Sequence, residues 1–370
     1  MNITIFIAHM ALGGAQRVCV NLANEFVAQG HQVTILVLDL DRDHDVHTHL
    51  LDKRCRIVSL GVSRIRYAAI PMIKYIRKEK PSFLMIFGNE MAIILNKLRK
   101  LHLIHVKMIV RVLNNLNISL SKEDHISPIV ENYLKKAQHN LSDMEHLIAQ
   151  CKGMEKMLIE GGFSSPDKIT AIYNPVSEHI INAVNRSKKD KQENPVEQIV
   201  FIGRIDPQKN LTHLVKAFSK VHEKRPNTIL RLIGDGNSRN SIEKCTEELG
   251  LADCVRIEGI NPHIEEVYNE ADVVALSSEY EGMPNCLIEA IGVGIPVVSY
   301  DCPLGPSEII EDGVNGYLVP YNDIDALAQK LLLALERNWN PQEIKKTCDK
   351  FLVKNIANKY LQVFEKVERE

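Results

Sequence analysis

Two glutamates with seven residues between them lie in the segment EYEGMPNCLIEA, shortly before the apolar run IPVVSY. Glu281 and Glu289 enclose a Gly, a Pro and an Asn, which together predict a turn that leads into a helix. A carboxylate accepts hydrogen bonds from neighbouring hydroxyls, so this pair is suited to a ribose or a hexose. The alternative is a glutamate that favours the positive end of a helix, worth about 0.3–1 kcal/mol. Two glutamates around one turn fit this alternative less well.

Two cations lie in a second segment, GRIDPQKN. Arg204 directly follows an apolar run, and Lys209 comes five residues later, where a helical pattern begins. The Arg fork can bind two oxygens and the Lys supplies a point charge, so the pair is suited to a diphosphate. Solvated surface cations are the alternative, but the position of both after a strand favours a phosphate site. Asn210 is expected to cap the helix that follows.

Two pairs of glycines also follow apolar runs. Gly13 and Gly14 lead into a helix start, where backbone amides can approach an oxyanion and the helix dipole favours negative charge. Gly234 and Gly236 stand on either side of Asp235 and could border a nucleotide. A tight turn explains either pair equally well. The dinucleotide fingerprint G-x-G-x-x-G is absent from the first pair.

These residues are placed by an alternation of short apolar runs with longer helical patterns. Near-continuous apolar runs of this length predict parallel strands that are buried on both faces. The pattern predicts an α/β protein with two Rossmann-like, doubly wound domains in tandem, and ligands bind such sheets beyond the carboxyl ends of the strands. The predicted strands are 3–9, 32–40, 83–88, 106–113, 147–151 and 169–174, then 198–203, 228–234, 254–259, 272–277 and 295–300.

A polar stretch at 185–198 separates the two halves and predicts a linker. The strand ends of two facing domains can form one interdomain cleft. Gly30 is expected to end the first helix, and Asn285 to cap a short helix that ends near Gly292. The predicted organisation is a first domain at 1–180, a linker at 181–198, a second domain at 199–350 and a C-terminal helix at 351–370.

The composition narrows the class of protein. The chain has 370 residues, is 45% apolar and 25% charged, and therefore fits a globular protein of two domains. Its eight Cys include no C-x-x-C pair, which argues against a zinc ribbon and for reduced cytosolic thiols. The first apolar run lacks a basic region before it, so a strand is expected rather than a signal peptide. No run of about 18 apolar residues is present, and a cytoplasmic protein is expected.

The charge is divided unevenly, with a balance of +5 over residues 1–180 and −7 over residues 181–370. Two basic segments in the first half, 64–80 and 96–107, surround apolar residues with Lys and Arg. Such segments fit docking on an anionic membrane, here the inner face of the plasma membrane, although a solvated helix face is an equal alternative. Aromatic residues make up only 5% of the chain and do not alternate with basic ones, so nucleic-acid binding is not expected.

The motifs, in their order and spacing, resemble those of the retaining glycosyltransferases of family 4, the E-x(7)-E type with the GT-B fold, many of which build bacterial cell-surface polysaccharides. The resemblance extends over nearly the whole chain. GRIDPQKN and the E-x(7)-E stretch are each fairly specific, whereas GGAQRV and YNPV are weak alone. The matching segments are GGAQRV, YNPV, GRIDPQKN, LIGDGNSRNSIEK, EYEGMPNCLIEAIGVGIPVV and GPSEIIEDGVNGYLV.

The resemblance implies roles for the matching positions. Arg204 and Lys209 would hold the donor diphosphate and stabilise its departure in place of the metal of other glycosyltransferases, so no metal or cofactor is expected. Glu289 would bind the nucleotide ribose. Glu281 would lie at the donor sugar, either as a nucleophile or, as we favour, as a group that orients the sugar. Further donor contacts are expected from Gly234, Gly282, Met283, Pro284 and Asn285.

On the acceptor side the resemblance is less informative. Gly13 and Gly14 would approach the donor phosphate or the acceptor. Arg111 lies where many members carry a His, and it either contacts an acceptor phosphate or is a buried structural Arg. Asn174 and Pro175 would mark the crossing into the second domain. The C-terminal helix would pack back on the first domain.

The implied reaction moves a sugar from a nucleotide diphosphate sugar to an acceptor, with retention at the anomeric carbon. The expected donor is a uridine diphosphate hexose or N-acetylhexosamine. The expected acceptor is a saccharide or a polyprenyl-diphosphate-linked saccharide, in polysaccharide, lipopolysaccharide or capsule biosynthesis. The alternatives are a sugar-nucleotide 2-epimerase on the same fold, a mannosyltransferase that uses guanosine diphosphate mannose, and a non-catalytic binding subunit.

Overall fold

The computed structural model describes residues 1–11, 13–40, 47–113, 128–184 and 196–370. The described chain forms two compact units: Met1–Pro175 joined by Phe351–Glu370, and Val176–Lys350. Most of the predicted linker, 185–195, lies outside the described residues. The two ends of the predicted linker belong to regular elements of the second unit, because a helix runs to Ala183 and a strand begins at Glu197.

The first unit is built on a seven-stranded parallel sheet with the order β3-β2-β1-β4-β5-β6-β7. All six strands predicted for this half are confirmed, and β3 is an additional edge strand that the sequence reading missed. The strands are β1 (Asn2–Phe6), β2 (Gln32–Val37), β3 (Arg56–Ser59), β4 (Phe83–Phe87), β5 (Lys107–Arg111), β6 (His146–Ala149) and β7 (Ile169–Ala171). The described helices between them are α1 (Gly14–Ala28), α2 (Ala69–Glu79), α3 (Asn89–Lys100), α4 (Pro128–Leu141) and α5 (Lys152–Glu160).

The first crossover shows how the sequence forms this unit. Helix α1 buries Val18, Leu22 and Phe26 at helical spacing, so its apolar stripe packs on the sheet. The helix ends at Ala28, and Gly30 follows with a φ of 86°, a conformation that favours glycine. The amide of the next residue donates to the carbonyl of Phe26 over 2.9 Å, which closes the helix end. Gly30 therefore lies just beyond the end of α1, as the sequence predicted.

The second unit is built on a six-stranded parallel sheet with the order β10-β9-β8-β11-β12-β13. The five predicted strands are confirmed, and β13 is an additional edge strand. The strands are β8 (Glu197–Ile202), β9 (Thr228–Ile233), β10 (Val255–Gly259), β11 (Val273–Leu276), β12 (Val297–Tyr300) and β13 (Gly316–Val319). The helices are α6 (Glu178–Ala183), α7 (Leu211–Lys224), α8 (Arg239–Glu248), α9 (Ile264–Glu270), α10 (Asn285–Gly292), α11 (Pro306–Ile309), α12 (Ile324–Glu336) and α13 (Pro341–Lys346).

The last helix, α14 (Val353–Arg369), belongs to the first unit. Its Phe364 ring lies 4.7 Å from the Phe83 ring and 5.7 Å from the Phe26 ring, centroid to centroid. Six of its buried apolar residues are part of one hydrophobic core with strands and helices of the first half. The main chain therefore leaves the first unit after Pro175 and re-enters it at Phe351.

Candidate functional site

The two segments that the sequence singled out follow neighbouring strands. Strand β8 precedes Arg204 and Lys209, and β11 precedes Glu281. The two strands pair in parallel, so their carboxyl ends lie at the same edge of the six-stranded sheet. The site can therefore be described within the second unit alone.

Hydrogen bonds fasten the two loops to each other. The Gln208 side-chain amide donates to the carbonyl of Tyr280 over 2.8 Å, and the Glu279 amide donates to the carbonyl of Gln208 over 2.8 Å. The Ser277 hydroxyl donates to the carbonyl of Lys209 over 2.9 Å. These bonds fix the loop after β8 against the loop after β11.

Lys209 and Glu281 form a buried ion pair between these loops. The Lys209 Nζ lies 2.6 Å from the Glu281 Oε1, and the side chains are only 15% and 5% exposed. The Ser278 hydroxyl donates to the same carboxylate oxygen over 2.6 Å. Burying a carboxylate is costly unless donors compensate for the lost water, and these two donors do so. The pairing brings together two residues that the sequence assigned to one site from separate motifs.

The electrostatics keep Lys209 charged. Burial is the largest single influence and acts to lower the pKa of Lys209, but the charge and the hydrogen bond of Glu281, with a further contribution from Cys286, together outweigh it and hold the pKa above its ordinary value. The Lys209 ammonium therefore stays protonated at neutral pH and can interact with an anion.

The turn that presents Lys209 differs in one detail from the prediction. Pro207–Lys209 is a single 3-10 turn, and Asn210 follows at the start of α7. The predicted cap by the Asn210 side chain is wrong, since that side chain makes no capping hydrogen bond. Asn210 instead has a φ of 46°, a left-handed conformation that Asn tolerates better than most residues, and this reverses the chain before the helix.

Arg204 lies outside the buried pair. Its side chain is 68% exposed, and its guanidinium lies 2.8 Å from a carboxylate oxygen of Asp206. The structure therefore places Arg204 at the same sheet edge as Lys209 but in contact with solvent. A ligand would have to compete with Asp206 for this guanidinium.

Glu289 lies on α10 in a buried environment. It is the fifth residue of the helix, is 7% exposed, and accepts a 2.8 Å hydrogen bond from the Tyr268 hydroxyl. The helix begins at Asn285 with Pro284 at the capping position, so the predicted Asn285 cap is displaced by one residue. A carboxylate beyond the first turn gains little from the helix dipole, so that alternative explains Glu289 poorly.

The backbone between the two glutamates is closely covered. Gly282, Met283 and Pro284 are buried, and Asn285 is half-buried. Gly305 packs on this loop with a φ of 94°, and a Cβ at Gly305 would lie 2.8 Å from the Gly282 carbonyl oxygen. A glycine is required there both by the backbone conformation and by the close approach.

Gly234 has a structural reason for its identity. A Cβ at Gly234 would lie 1.8 Å from the carbonyl oxygen of Gly203, and one at Gly236 would lie 2.6 Å from that of Ile205. The loops after β8 and β9 therefore touch backbone to backbone. This supports the tight-turn interpretation, and a donor contact of Gly234 stays a prediction.

The candidate residues of the first unit are placed separately. Helix α1 begins at Gly14, with Gly13 in an extended conformation at the capping position. Arg111 is only 1% exposed, and its guanidinium donates to the Tyr360 hydroxyl over 3.0 Å and to the Asn174 side chain. It therefore binds helix α14 to the sheet, which favours the structural interpretation of this arginine. Asn174 and Pro175 are the last two residues of Met1–Pro175, and the second unit begins at Val176, where the sequence predicted the crossing into the second domain.

Three residues of the site were missed by the sequence reading: Tyr268, Ser278 and Gly305. Tyr268 stands in an apolar helical stripe, where it cannot be distinguished from an ordinary core aromatic. Ser278 ends a strand, and only its spacing of three residues from Glu281 could have indicated a contact. Gly305 was part of a matching motif but carries no chemistry of its own.

The described residues contain neither a metal-binding cluster nor a membrane-spanning helix. Within the described ranges, no group of three or more His, Cys, Asp or Glu is arranged to hold a metal ion. Nor does any helix of those ranges combine the length and the apolarity that crossing a bilayer requires.

The chain matches two family models, one in each half. Residues 12–179 match the family described as "Glycosyltransferase Family 4", and residues 183–351 match "Glycosyl transferases group 1". Across the full length, the chain is 24% identical over 374 residues to the GalNAc-alpha-(1->4)-GalNAc-alpha-(1->3)-diNAcBac-PP-undecaprenol alpha-1,4-N-acetyl-D-galactosaminyltransferase of Campylobacter jejuni, covering 100% of this chain and 99% of that protein.

Other similarities are partial in length or limited to the fold. An uncharacterized glycosyltransferase of Methanocaldococcus jannaschii is 30% identical over 250 residues, covering 65% of this chain and 60% of that protein. The chain spans only 16% of another curated relative, with 35% identity over 153 residues. The crystal structure of Anabaena Alr3699/HepE in complex with UDP and glucose has a TM-score of 0.77 at 16% identity, covering 99% of this chain and 100% of that one. This likeness shows the fold.

Proposed function

We propose that the chain is a GT-B glycosyltransferase that joins a family 4 domain to a group 1 domain, and that it transfers a sugar from a nucleotide diphosphate sugar during the assembly of a bacterial cell-surface glycan. The observation that carries this proposal is the buried Lys209–Glu281 pair at the carboxyl edge of the six-stranded sheet. A protonated lysine and a carboxylate held together there fit a site that binds a diphosphate on one side and a sugar on the other.

The donor is bound by groups of the second unit. Lys209 and the exposed Arg204 bind the diphosphate, and Glu289 binds the ribose hydroxyls. The backbone from Gly282 to Asn285, at the start of α10, contacts the sugar and the phosphate. Uridine diphosphate is the favoured nucleotide, because the Anabaena Alr3699/HepE structure, one of the fold neighbours, is a complex with UDP and glucose. A hexose or an N-acetylhexosamine is the proposed sugar.

The difficult step is departure of the diphosphate from the anomeric carbon. The negative charge that develops on the leaving oxygen is stabilised by Lys209 and Arg204, which supply the charge that a metal ion supplies in other enzymes. Lys209 is suited to this because its pKa is held above the ordinary value, so it carries its charge before the donor arrives. The reaction proceeds with retention, and the acceptor attacks from the face that the diphosphate leaves.

Glu281 orients the sugar in this mechanism rather than attacking it. Its Oε1 accepts hydrogen bonds from both Lys209 and Ser278, each over 2.6 Å. Two strong donors stabilise the carboxylate charge, which makes the group a weaker nucleophile and fixes its direction. A fixed carboxylate is what positioning of sugar hydroxyls requires.

The acceptor is proposed to be a saccharide carried on a polyprenyl diphosphate, reached at an anionic membrane surface. Helix α2 and the turn before it present the exposed apolar residues Tyr67 and Ile70, which are 56% and 67% accessible. Lys74 and Arg77 are exposed one and two turns after Ile70, so cations flank the apolar residues on one helix face. Apolar residues among cations are typical of segments that dock on anionic bilayers.

The test combines donor screening with variants of the pair. The purified chain is incubated with uridine diphosphate sugars and with guanosine diphosphate mannose, and nucleotide release is followed with and without a polyprenyl-diphosphate-linked saccharide. We expect acceptor-dependent release of UDP, abolished by Lys209→Ala and by Glu281→Ala. Lys244→Ala is the control, since Lys244 pairs with Glu248 on an exposed helix face of the same unit.

Three results would contradict the proposal. Epimerised sugar without an acceptor indicates a 2-epimerase, and release from the mannose donor alone indicates a mannosyltransferase. Release that persists in Lys209→Ala while the variant remains folded would remove Lys209 from the site.

A further inference from the structure

We infer that Tyr268 is a positioning residue, whose hydroxyl holds the Glu289 carboxylate in the orientation that recognises the ribose of the donor. The inference rests on the proposed function, in which Glu289 binds that ribose. It concerns specificity rather than the chemical step, because Tyr268 acts on the nucleotide only through Glu289.

The geometry joins two helices around one hydroxyl. Tyr268 lies on α9, is fully buried, and donates a 2.8 Å hydrogen bond to the Glu289 Oε2 on α10. The same hydroxyl lies 3.4 Å from the carbonyl oxygen of Cys286, in the first turn of α10. Tyr268 therefore contacts both the backbone of the helix that carries Glu289 and the carboxylate itself.

Such an anchor matters because a glutamate side chain has several rotatable bonds. Two adjacent ribose hydroxyls are recognised well only when both carboxylate oxygens keep a fixed plane relative to the helix. The Tyr268 hydroxyl fixes Oε2 and removes most of this freedom before the nucleotide sugar arrives. Less conformational entropy is therefore lost when the nucleotide sugar binds. The hydrogen bond from the Tyr268 hydroxyl also offsets the cost of burying the Glu289 carboxylate, since Glu289 is only 7% exposed.

A purely structural role for Tyr268 makes a different prediction. A buried tyrosine hydroxyl usually finds a hydrogen-bond partner, and Glu289 would then be only that partner. In that case Tyr268→Phe lowers stability and weakens every nucleotide equally. Under the inference, Tyr268→Phe instead weakens nucleotides according to whether they carry the ribose hydroxyls.

The experiment measures binding of UDP and of 2′-deoxy-UDP by calorimetry to the full chain and its variants. The wild type is expected to prefer UDP. Tyr268→Phe should bind UDP about tenfold more weakly, equivalent to about 1.4 kcal/mol, with 2′-deoxy-UDP nearly unchanged. Glu289→Gln should lose the same preference. Tyr75→Phe is the matched control, since Tyr75 is a buried tyrosine, 8% exposed, in the first unit and not in the unit that contains the candidate site.

The outcomes separate the inference from the function beneath it. Loss of the ribose preference in both Tyr268→Phe and Glu289→Gln supports the inference. Loss in Glu289→Gln alone overturns it and leaves the proposed role of Glu289 intact. No loss in Glu289→Gln refutes that role, and the inference with it. If Tyr268→Phe does not fold, Tyr268→His, which retains a ring donor, replaces it and should keep part of the preference; full loss in a folded His variant counts against the inference.

Discussion

Replacing both members of the Lys209–Glu281 pair should restore stability that either single replacement removes. Lys209→Met leaves the Glu281 carboxylate, 5% exposed, without its cation, and Glu281→Gln leaves the ammonium, 15% exposed, without its anion. Removing one partner of a buried pair costs about 3–5 kcal/mol of unfolding free energy. The double variant leaves no unpaired charge, so it should lose less than the two single losses together, with a coupling of about 1–3 kcal/mol.

The chain provides its own probe for this measurement. It contains one tryptophan, and Trp339 lies in the second unit, where its indole N–H donates to the Ala334 carbonyl over 2.8 Å. Urea unfolding followed by Trp339 fluorescence therefore reports on the unit that contains the pair. The matched control is Lys244–Glu248, an i,i+4 pair 3.7 Å apart and 77% and 63% exposed. Its coupling should be at most about 0.5 kcal/mol.

Turnover should not recover with stability when the Lys209 and Glu281 replacements are combined. Each single replacement removes a group that acts on the diphosphate or the sugar, so turnover should fall by about 10²–10³-fold in Lys209→Met. The double variant should be stable and equally inactive. Additive stability losses, within about 0.5 kcal/mol, would refute the idea that the two charges depend on each other. Turnover near that of the wild type in Lys209→Met would refute the site.

Three other expectations can be tested independently. Ile70→Glu should reduce flotation with phosphatidylglycerol-containing vesicles, whereas Leu333→Glu, at a 46% exposed position of the second unit, should not; equal flotation of the two variants counts against docking through α2. Gly234→Ala should destabilise the second unit strongly, as measured by Trp339 fluorescence, because the added Cβ would lie 1.8 Å from the Gly203 carbonyl oxygen. Gly250→Ala, whose added Cβ would meet nothing within 4 Å, should cost only the strain of its φ of 68°. Similar losses of stability in the two variants would contradict the steric argument. Burial lowers the pKa of His47 and of His146 from 6.5 to about 4, so the unfolded state takes up protons first and the first unit should lose stability as the pH falls from 6.5 to 4. Hydrogen exchange of β6 should show a weaker pH dependence in His146→Gln than in the wild type. An unchanged pH dependence would exclude His146 as a cause of the lost stability.

The strands could be predicted from sequence where burial on both faces leaves a continuous apolar run. Strand β4 illustrates this, since all five of its residues are buried. The two strands that were missed, β3 and β13, are four-residue edge strands with half-buried or exposed positions, and such strands carry no distinctive run. Their pairing depends on the neighbouring strand rather than on their own residues.

The site was predictable to the extent that its members follow strands. Lys209 and Glu281 were placed at one edge by the parallel-sheet rule, and the structure joins them directly. The supporting hydroxyls of Ser278 and Tyr268 could not be predicted, because a buried hydroxyl has the same sequence signal whether or not it reaches a carboxylate. Arg111 was ambiguous for a related reason, since burial decides between a ligand contact and a structural bond, and burial is a property of the fold.

The return of the chain to the first unit through α14 has a consequence for synthesis on the ribosome. Phe26 and Phe83 are translated before the second unit, whereas Phe364, whose ring packs against theirs, is translated after it. Domains generally fold as units while the chain emerges, so the second unit, Val176–Lys350, can be complete while the first unit still lacks a helix. Of the two units, the one whose translation begins first is therefore the one whose folding finishes last, and its apolar face needs protection until Arg369 has left the exit tunnel.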